Sequence, residues 1–148
     1  MEKRIDMAQT QPAAYKAMYG LTDYLRSTKI TGNIRQLVKM RASQINGCAL
    51  CLEMHAEESQ KIGIPLEKLI LLDAWRESSY FNDEERAALA LTEEVTLINQ
   101  KGLSDEAYKQ AVADFGEEYV AALIMEVVTI NAWNRISIAT RSEFRKHH

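Results

Sequence analysis

Residues 37–55 read Leu37-Val38-Lys39-Met40-Arg41-Ala42-Ser43-Gln44-Ile45-Asn46-Gly47-Cys48-Ala49-Leu50-Cys51-Leu52-Glu53-Met54-His55, and this stretch decides the fold. Leu37, Val38 and Arg41 continue a helical spacing that starts at Ile34 and reaches about Ile45. Asn46-Gly47 is a stop signal, because glycine enters the left-handed conformation that ends helices without steric cost. Cys48 then opens a second helical run that ends at Gly63. Two helices joined by so short a break must pack on one another or on a neighbour, and nowhere does the chain alternate with the period of two that a half-buried strand needs.

The same punctuation continues outward. Ala13 to Ser27 carries Tyr15, Met18, Tyr19, Thr22 and Leu25 at helical spacing. Thr31-Gly32-Asn33 breaks the chain, and Asn33 is expected to cap the helix that follows. That cap would put Gln36 at the third helical position of a capping box. Pro65 suits the first residue of a helix through Ala74. Asn82-Asp83-Glu84-Glu85 reads as an N-cap followed by acids on the positive end of a helix dipole, with a helix to about Asn99. Ser104-Asp105-Glu106 caps another, ending at Phe115-Gly116, and a last helix runs from Glu117 to about Arg141. The expectation is an all-α bundle of six or seven helices.

Composition agrees. A chain of 148 residues with 47% hydrophobic and 26% charged side chains is sized and balanced for one globular domain, residues 1–148. Six glycines and two prolines are too few for the turns of a β-sandwich. A net charge of −3 gives no basic surface for nucleic acid or an anionic membrane. The most apolar stretch, Tyr119 to Ala139, is interrupted by Glu126, Asn131, Asn134 and Arg135, which favours a buried helix over a membrane span. No apolar leader follows Met1, so a cytoplasmic location is expected. No function is given to His147 and His148.

Cys48 and Cys51 close too small a loop to staple a fold together. Their chemistry is the better reason for the pair. At about 100° per residue, Cys51 lies about 60° behind Cys48, and His55 projects between them. A thiolate is the reactive form of cysteine. Cys48 lies at a helix start, where the dipole favours negative charge, and His55, four residues on, can accept or relay the Cys51 proton. Once one sulfur is oxidised, the other is close enough to form a disulfide, which an external dithiol can reduce. The helix end favours Cys48 as the attacking thiol and the histidine favours Cys51; geometry leaves both open. Zinc fits poorly, because Cys48, Cys51 and His55 supply three ligands where a structural site takes four. Two acids and a pair of aromatic segments have plainer readings. Glu58 is expected to be a solvated surface acid, although it could orient His55. Glu126, amid apolar residues, is expected to pair with Arg41 or another cation. Trp75 is expected in the core or a subunit contact, Arg76 in an ion pair, and Tyr80-Phe81 in a helix staple.

The run Leu37 to His55, together with Ala74-Trp75-Arg76-Glu77-Ser78 and Glu84-Glu85-Arg86-Ala87-Ala88-Leu89-Ala90-Leu91-Thr92-Glu93, resembles the alkylhydroperoxidase AhpD-like proteins of the carboxymuconolactone decarboxylase superfamily. The resemblance covers about residues 34–98. It implies an all-helical homo-oligomer, commonly a trimer or hexamer, that reduces hydrogen peroxide or organic hydroperoxides with no metal, flavin or haem. It also implies that Cys51 reacts with peroxide, Cys48 resolves it and His55 relays protons, with a lipoyl-type or thioredoxin-like dithiol as reductant. Two positions depart from the pattern. The family's relay Glu, twelve residues before the first cysteine, is here Gln36, which can hydrogen-bond and orient but cannot take a proton. Leu50 stands where some peroxidases have His. Gln36 keeps a non-catalytic redox-sensing or disulfide-exchange module in view, for which a large gain in rate from Gln36→Glu would reveal a crippled relay. Lactone decarboxylation is the third reading, disfavoured by the dithiol.

Overall fold

The computed structural model describes residues 2–142, and His147 and His148 lie outside them. Among the described residues all regular structure is helical: α1 (Met7–Thr10), α2 (Pro12–Arg26), α3 (Gly32–Asn46), α4 (Ala49–Lys61), α5 (Leu66–Ile70) continued by a 3₁₀ turn (Leu71–Ala74), α6 (Asp83–Thr96), α7 (Ile98–Lys101), α8 (Asp105–Phe115) and α9 (Glu117–Thr140). The long elements match the expected ones. The count rises because short pieces separate from them: α1 precedes Pro12, the helix after Pro65 tightens into a 3₁₀ turn, and α7 follows a break at Leu97. No described helix is long and apolar enough to cross a membrane.

α3 is the hub, packed against α4, α6, α9 and the 3₁₀ turn. One core cluster joins Ile34 and Val38 of α3 to Ala88 and Leu91 of α6, Ala111 of α8, and Val120, Leu123 and Val127 of α9. A second joins Leu37 and Met40 to Leu69, Leu72, Trp75, Phe81 and Leu89. Along α9 the buried positions Val120, Leu123, Val127, Ile130 and Asn134 recur every three or four residues, the helical period that puts them on one face.

α3 is unusual in carrying polar side chains into this interior, and carboxylates on four other helices or turns receive them. Asn33 Nδ2 donates to Glu85 (2.6 Å), and Arg41 Nε to Glu93 (2.8 Å). Arg35 and Lys39 lie 3.3 and 3.4 Å from the carboxylate of Glu126, which is 2% exposed. The expected ion pair of Glu126 therefore forms, but with these two cations, since Arg41 turns to Glu93 and Asp73. Burial pushes the Glu93 carboxyl up, yet hydrogen bonds from Trp75, Arg76 and Arg41 together outweigh it and hold it below the usual range. Trp75 is buried and Arg76 stacks over its ring while pairing with Glu93.

Capping corrects one expectation and meets others. Thr31, not Asn33, is the N-cap of α3: its backbone is extended and its side chain accepts from Ile34 N–H at 3.3 Å. Gln36 therefore has no capping-box role and is free for other work. Pro65 is itself the N-cap of α5, one residue before the expected position. Asn82 and Glu85 form the capping box of α6, and Ser104 caps α8.

Gly47 closes α3 in the left-handed conformation (φ 69°), with its N–H donating to Gln44 and Cys48 N–H to Ser43. A polar chain anchors this corner to α9: Asn46 donates to Asn131 and Asn134 (both 2.9 Å), and Asn134 to Ser43 (3.0 Å). A Cβ at Gly47 would meet nothing within 4 Å, so backbone strain alone sets the cost of replacing it. Gly47→Ala is expected to lose about 1–2 kcal/mol in urea unfolding, and Gly47→Asn less, because asparagine tolerates the left-handed region better.

Candidate functional site

The turn at Gly47 delivers Cys48 as the N-cap of α4, with extended backbone and its sulfur accepting from Cys51 N–H at 3.3 Å. Cys48 is thus half outside the helix rather than on its face. The face proper carries Cys51, His55 and Glu58, spaced four and three residues apart, which stacks them along one side of α4. Cys48 and Cys51 are joined as a disulfide with Cα atoms 5.3 Å apart. Both are buried, at 1% and 4% exposure.

The two sulfurs are not equivalent. Cys51 lines a cavity of about 510 Å³, together with Leu50, Met54, His55 and Glu58 of α4, and Cys48 does not. Lys39 and Glu126 border the same cavity. A small molecule entering it meets Cys51 first. Cys48, at the helix start, occupies the position where backbone N–H groups best tolerate negative charge on sulfur.

Gln36 and His55 meet on one carboxylate. Gln36 Nε2 donates to Glu58 Oε2 at 2.9 Å, and His55 Nδ1 lies 3.1 Å from the same oxygen. The hydrogen bond from His55 is the largest influence on Glu58; with that from Gln36 it outweighs the cost of burial and holds the carboxyl at about 2. An ionised carboxylate only accepts, so this network puts the proton of a neutral imidazole on Nδ1 and leaves Nε2 with the lone pair of a base. Ser59 Oγ donates to the His55 carbonyl at 2.6 Å and ties down that turn. Gln36 is oriented by the charge it faces. Its Oε1 is buried with no hydrogen-bond partner, a cost of about 1–3 kcal/mol, because turning the amide to satisfy it would set oxygen against oxygen at Glu58.

The four candidate residues, Cys48, Cys51, His55 and Gln36, therefore lie along the α3–α4 hairpin, the cysteines at its corner and Gln36 linked to His55 through Glu58 three turns away. Glu58 joins them. The expectation of a purely solvated acid is corrected: its side chain is 42% exposed, but its Oε2 holds both His55 and Gln36. Its signal was the i,i+3 spacing to His55; nothing in the spacing showed that Gln36 would arrive from α3. Lys39 and the aromatic residues Tyr15, Tyr19 and Trp133, which also line the cavity, carried no signal beyond helical period. Among the described residues no group of three or more His, Cys, Asp or Glu is placed to hold a metal ion.

With this geometry in hand, comparison with known proteins is informative. The chain matches the Carboxymuconolactone decarboxylase family over residues 12–94. It is 37% identical over 139 residues to the uncharacterised protein YdfG of Bacillus subtilis strain 168, covering 94% of this chain and 95% of that one. It is 36% identical, with a TM-score of 0.94, to the crystal structure of a protein of unknown function from Agrobacterium tumefaciens named as a candidate antioxidant defence protein AhpD, covering 99% of this chain and all of that one. An uncharacterised peroxidase-related protein from Silicibacter sp. TM1040, 19% identical with a TM-score of 0.75 over 86% of this chain and 68% of its own, shares the fold. An all-helical AhpD-like fold with a Cys-x-x-Cys pair at the start of its central hairpin's second helix places this chain in the carboxymuconolactone decarboxylase family.

Proposed function

We propose that the protein is a thiol peroxidase that reduces hydroperoxides through a Cys48–Cys51 dithiol–disulfide cycle. The observation that carries the reading is the disulfide at the head of α4 with only Cys51 opening on the cavity beside His55. In the dithiol form, His55 Nε2 takes the Cys51 proton. The thiolate attacks one peroxide oxygen and the O–O bond breaks. Cys51 becomes a sulfenic acid, and the departing alkoxide takes the proton back from His55 to leave as the alcohol. Cys48 then attacks the Cys51 sulfur, the disulfide forms and water departs. One hydroperoxide is reduced to alcohol and water, and two thiols are oxidised. A dithiol of lipoyl or thioredoxin type restores the pair, as a reducing compartment such as the cytoplasm requires. Exposed apolar side chains on α9, Met125, Val128 and Ile138, support assembly with further copies of the chain.

In this reading the carboxylate of the relay is Glu58, with Gln36 as its positioning partner. The missing acid at position 36 does not leave the histidine unsupported: a carboxylate on α4 faces it, kept ionised by the hydrogen bond from His55 itself and, secondarily, by that from Gln36. Gln36→Glu would set a second carboxylate at hydrogen-bond distance from Glu58. Like charges so close share a proton and one titrates high, so the substitution weakens the relay rather than repairing it.

Peroxide consumption driven by a dithiol is expected to vanish in Cys51→Ser; full activity there overturns the mechanism. Cys48→Ser is expected to form one sulfenic acid per chain, detected by dimedone labelling, without turnover. Glu58→Gln should lower kcat/KM about 10–100-fold, and Gln36→Glu should lower it near neutral pH, where a gain would instead favour a crippled relay. Stability checks the electrostatics independently. The folded Glu58 carboxyl titrates at about 2 against an ordinary 4.5, so its ionisation stabilises the fold above pH 4.5 and that contribution is lost as pH falls towards 2. Thermal melts should show the native chain losing more stability than Glu58→Gln across that window.

A further inference from the structure

The cavity at Cys51 is far larger than hydrogen peroxide, and falls within the range of about 300–1,000 Å³ that holds organic ligands. One wall is aromatic. Tyr15 and Tyr19 of α2 and Trp133 of α9 all line it, with ring centroids 5.1–5.3 Å apart and planes steeply inclined. Trp133 Nε1 donates to Thr22 Oγ1 at 3.0 Å, which satisfies the indole's polar group within the protein and fixes the ring. Burial, reinforced by a hydrogen bond with Tyr19, pushes the Tyr15 hydroxyl up to about 12, so Tyr15 brings no charge to this wall at any ordinary pH. Such a cluster accepts another ring edge-to-face or offset-stacked, with attraction beyond the apolar area buried.

The charges bordering the cavity are already matched. Its three cations each have a carboxylate: Lys3 with Asp6 at 2.7 Å, Arg26 with Asp23 at 3.1 Å and Lys39 with Glu126 at 3.4 Å. Its histidine has Glu58 at 3.1 Å. An incoming carboxylate would have to share a cation with a carboxylate already beside it, at a cost in like-charge repulsion, whereas a neutral ligand leaves these pairs undisturbed.

We infer that the cavity is a substrate site for neutral arylalkyl hydroperoxides, whose ring packs against Trp133 and Tyr15 while the peroxide group reaches Cys51. This rests on the peroxidase reading and narrows it: Trp133 and Tyr15 become specificity-determining residues outside the reactive group. The chemistry is that already written, with the aryl-bearing alcohol as product and the external dithiol as reductant.

The test compares kcat/KM for cumene hydroperoxide, hydrogen peroxide and linoleic acid hydroperoxide, which carries a carboxylate. Cumene hydroperoxide is expected to exceed each of the others by about tenfold, and Trp133→Ala to lower its value about tenfold while changing that for hydrogen peroxide less than about twofold. Trp133→Phe, which keeps a ring and disturbs packing least, should retain most of the preference. Equal values for the three substrates, or equal loss for all of them in Trp133→Ala, overturns the inference. Binding of 2-phenyl-2-propanol, the unreactive alcohol, is measured separately by calorimetry. If no hydroperoxide is turned over, the peroxidase reading fails and calorimetry decides the aromatic site alone. Saturable binding that is lost in Trp133→Ala upholds that site, and absence of saturable binding in the native chain overturns it.

Discussion

The left-handed turn at Gly47 is the constraint on which the rest of the site depends. It reverses the chain in one residue, so α4 starts where α3 stops and the two helices pack side by side. Gln36, three turns back along α3, thereby comes alongside Glu58, three turns on along α4, and the two meet at 2.9 Å. Without that reversal Cys48 would not be an N-cap, and the amide and carboxylate would be on unrelated surfaces. The Ser43–Asn46–Asn131–Asn134 hydrogen bonds secure the corner to α9, the helix that also supplies Trp133 and Glu126 to the cavity.

α3 shows how a central helix can be rich in polar residues. Asn33, Arg35, Gln36, Lys39 and Arg41 each reach a carboxylate on a packing neighbour: Glu58 on α4, Glu85 and Glu93 on α6, and Glu126 on α9, which Arg35 and Lys39 share. Buried ion pairs of this kind add little net stability over apolar packing, because desolvation offsets most of the attraction. Their effect is on register. A one-residue slip of α3 would separate several donors from their carboxylates at once and leave buried charges unpaired. The placement of Gln36 against Glu58, and through it of His55, thus depends on the same register.

Helix periods, the stop at Gly47, the capping box at Asn82 and the cap at Ser104 were legible because each is a local signal, carried by residues three or four apart. The Asn33 cap failed for a local reason too: Thr31 also bears a capping oxygen, and it alone has the extended backbone that an N-cap needs. The partner of Glu126 was legible in kind, a cation, but not in identity, since Arg35, Lys39 and Arg41 all lie on α3 and only the rotation of that helix chooses among them. Glu58 was misjudged because an acid on a helix surface is usually solvated; the amide that holds it comes from 22 residues away.

The sequence by itself determined a helical protein with a dithiol at a helix start and a histidine one turn beyond, because hydrophobic period, glycine conformation and capping act over a few residues. Only the tertiary structure decided which cysteine opens on a cavity, which carboxylate supports His55, and that rings from α2 and α9 line the approach to Cys51. Those facts depend on how helices distant in the chain are rotated against one another, and that rotation is set by the packed core and its buried charge pairs together.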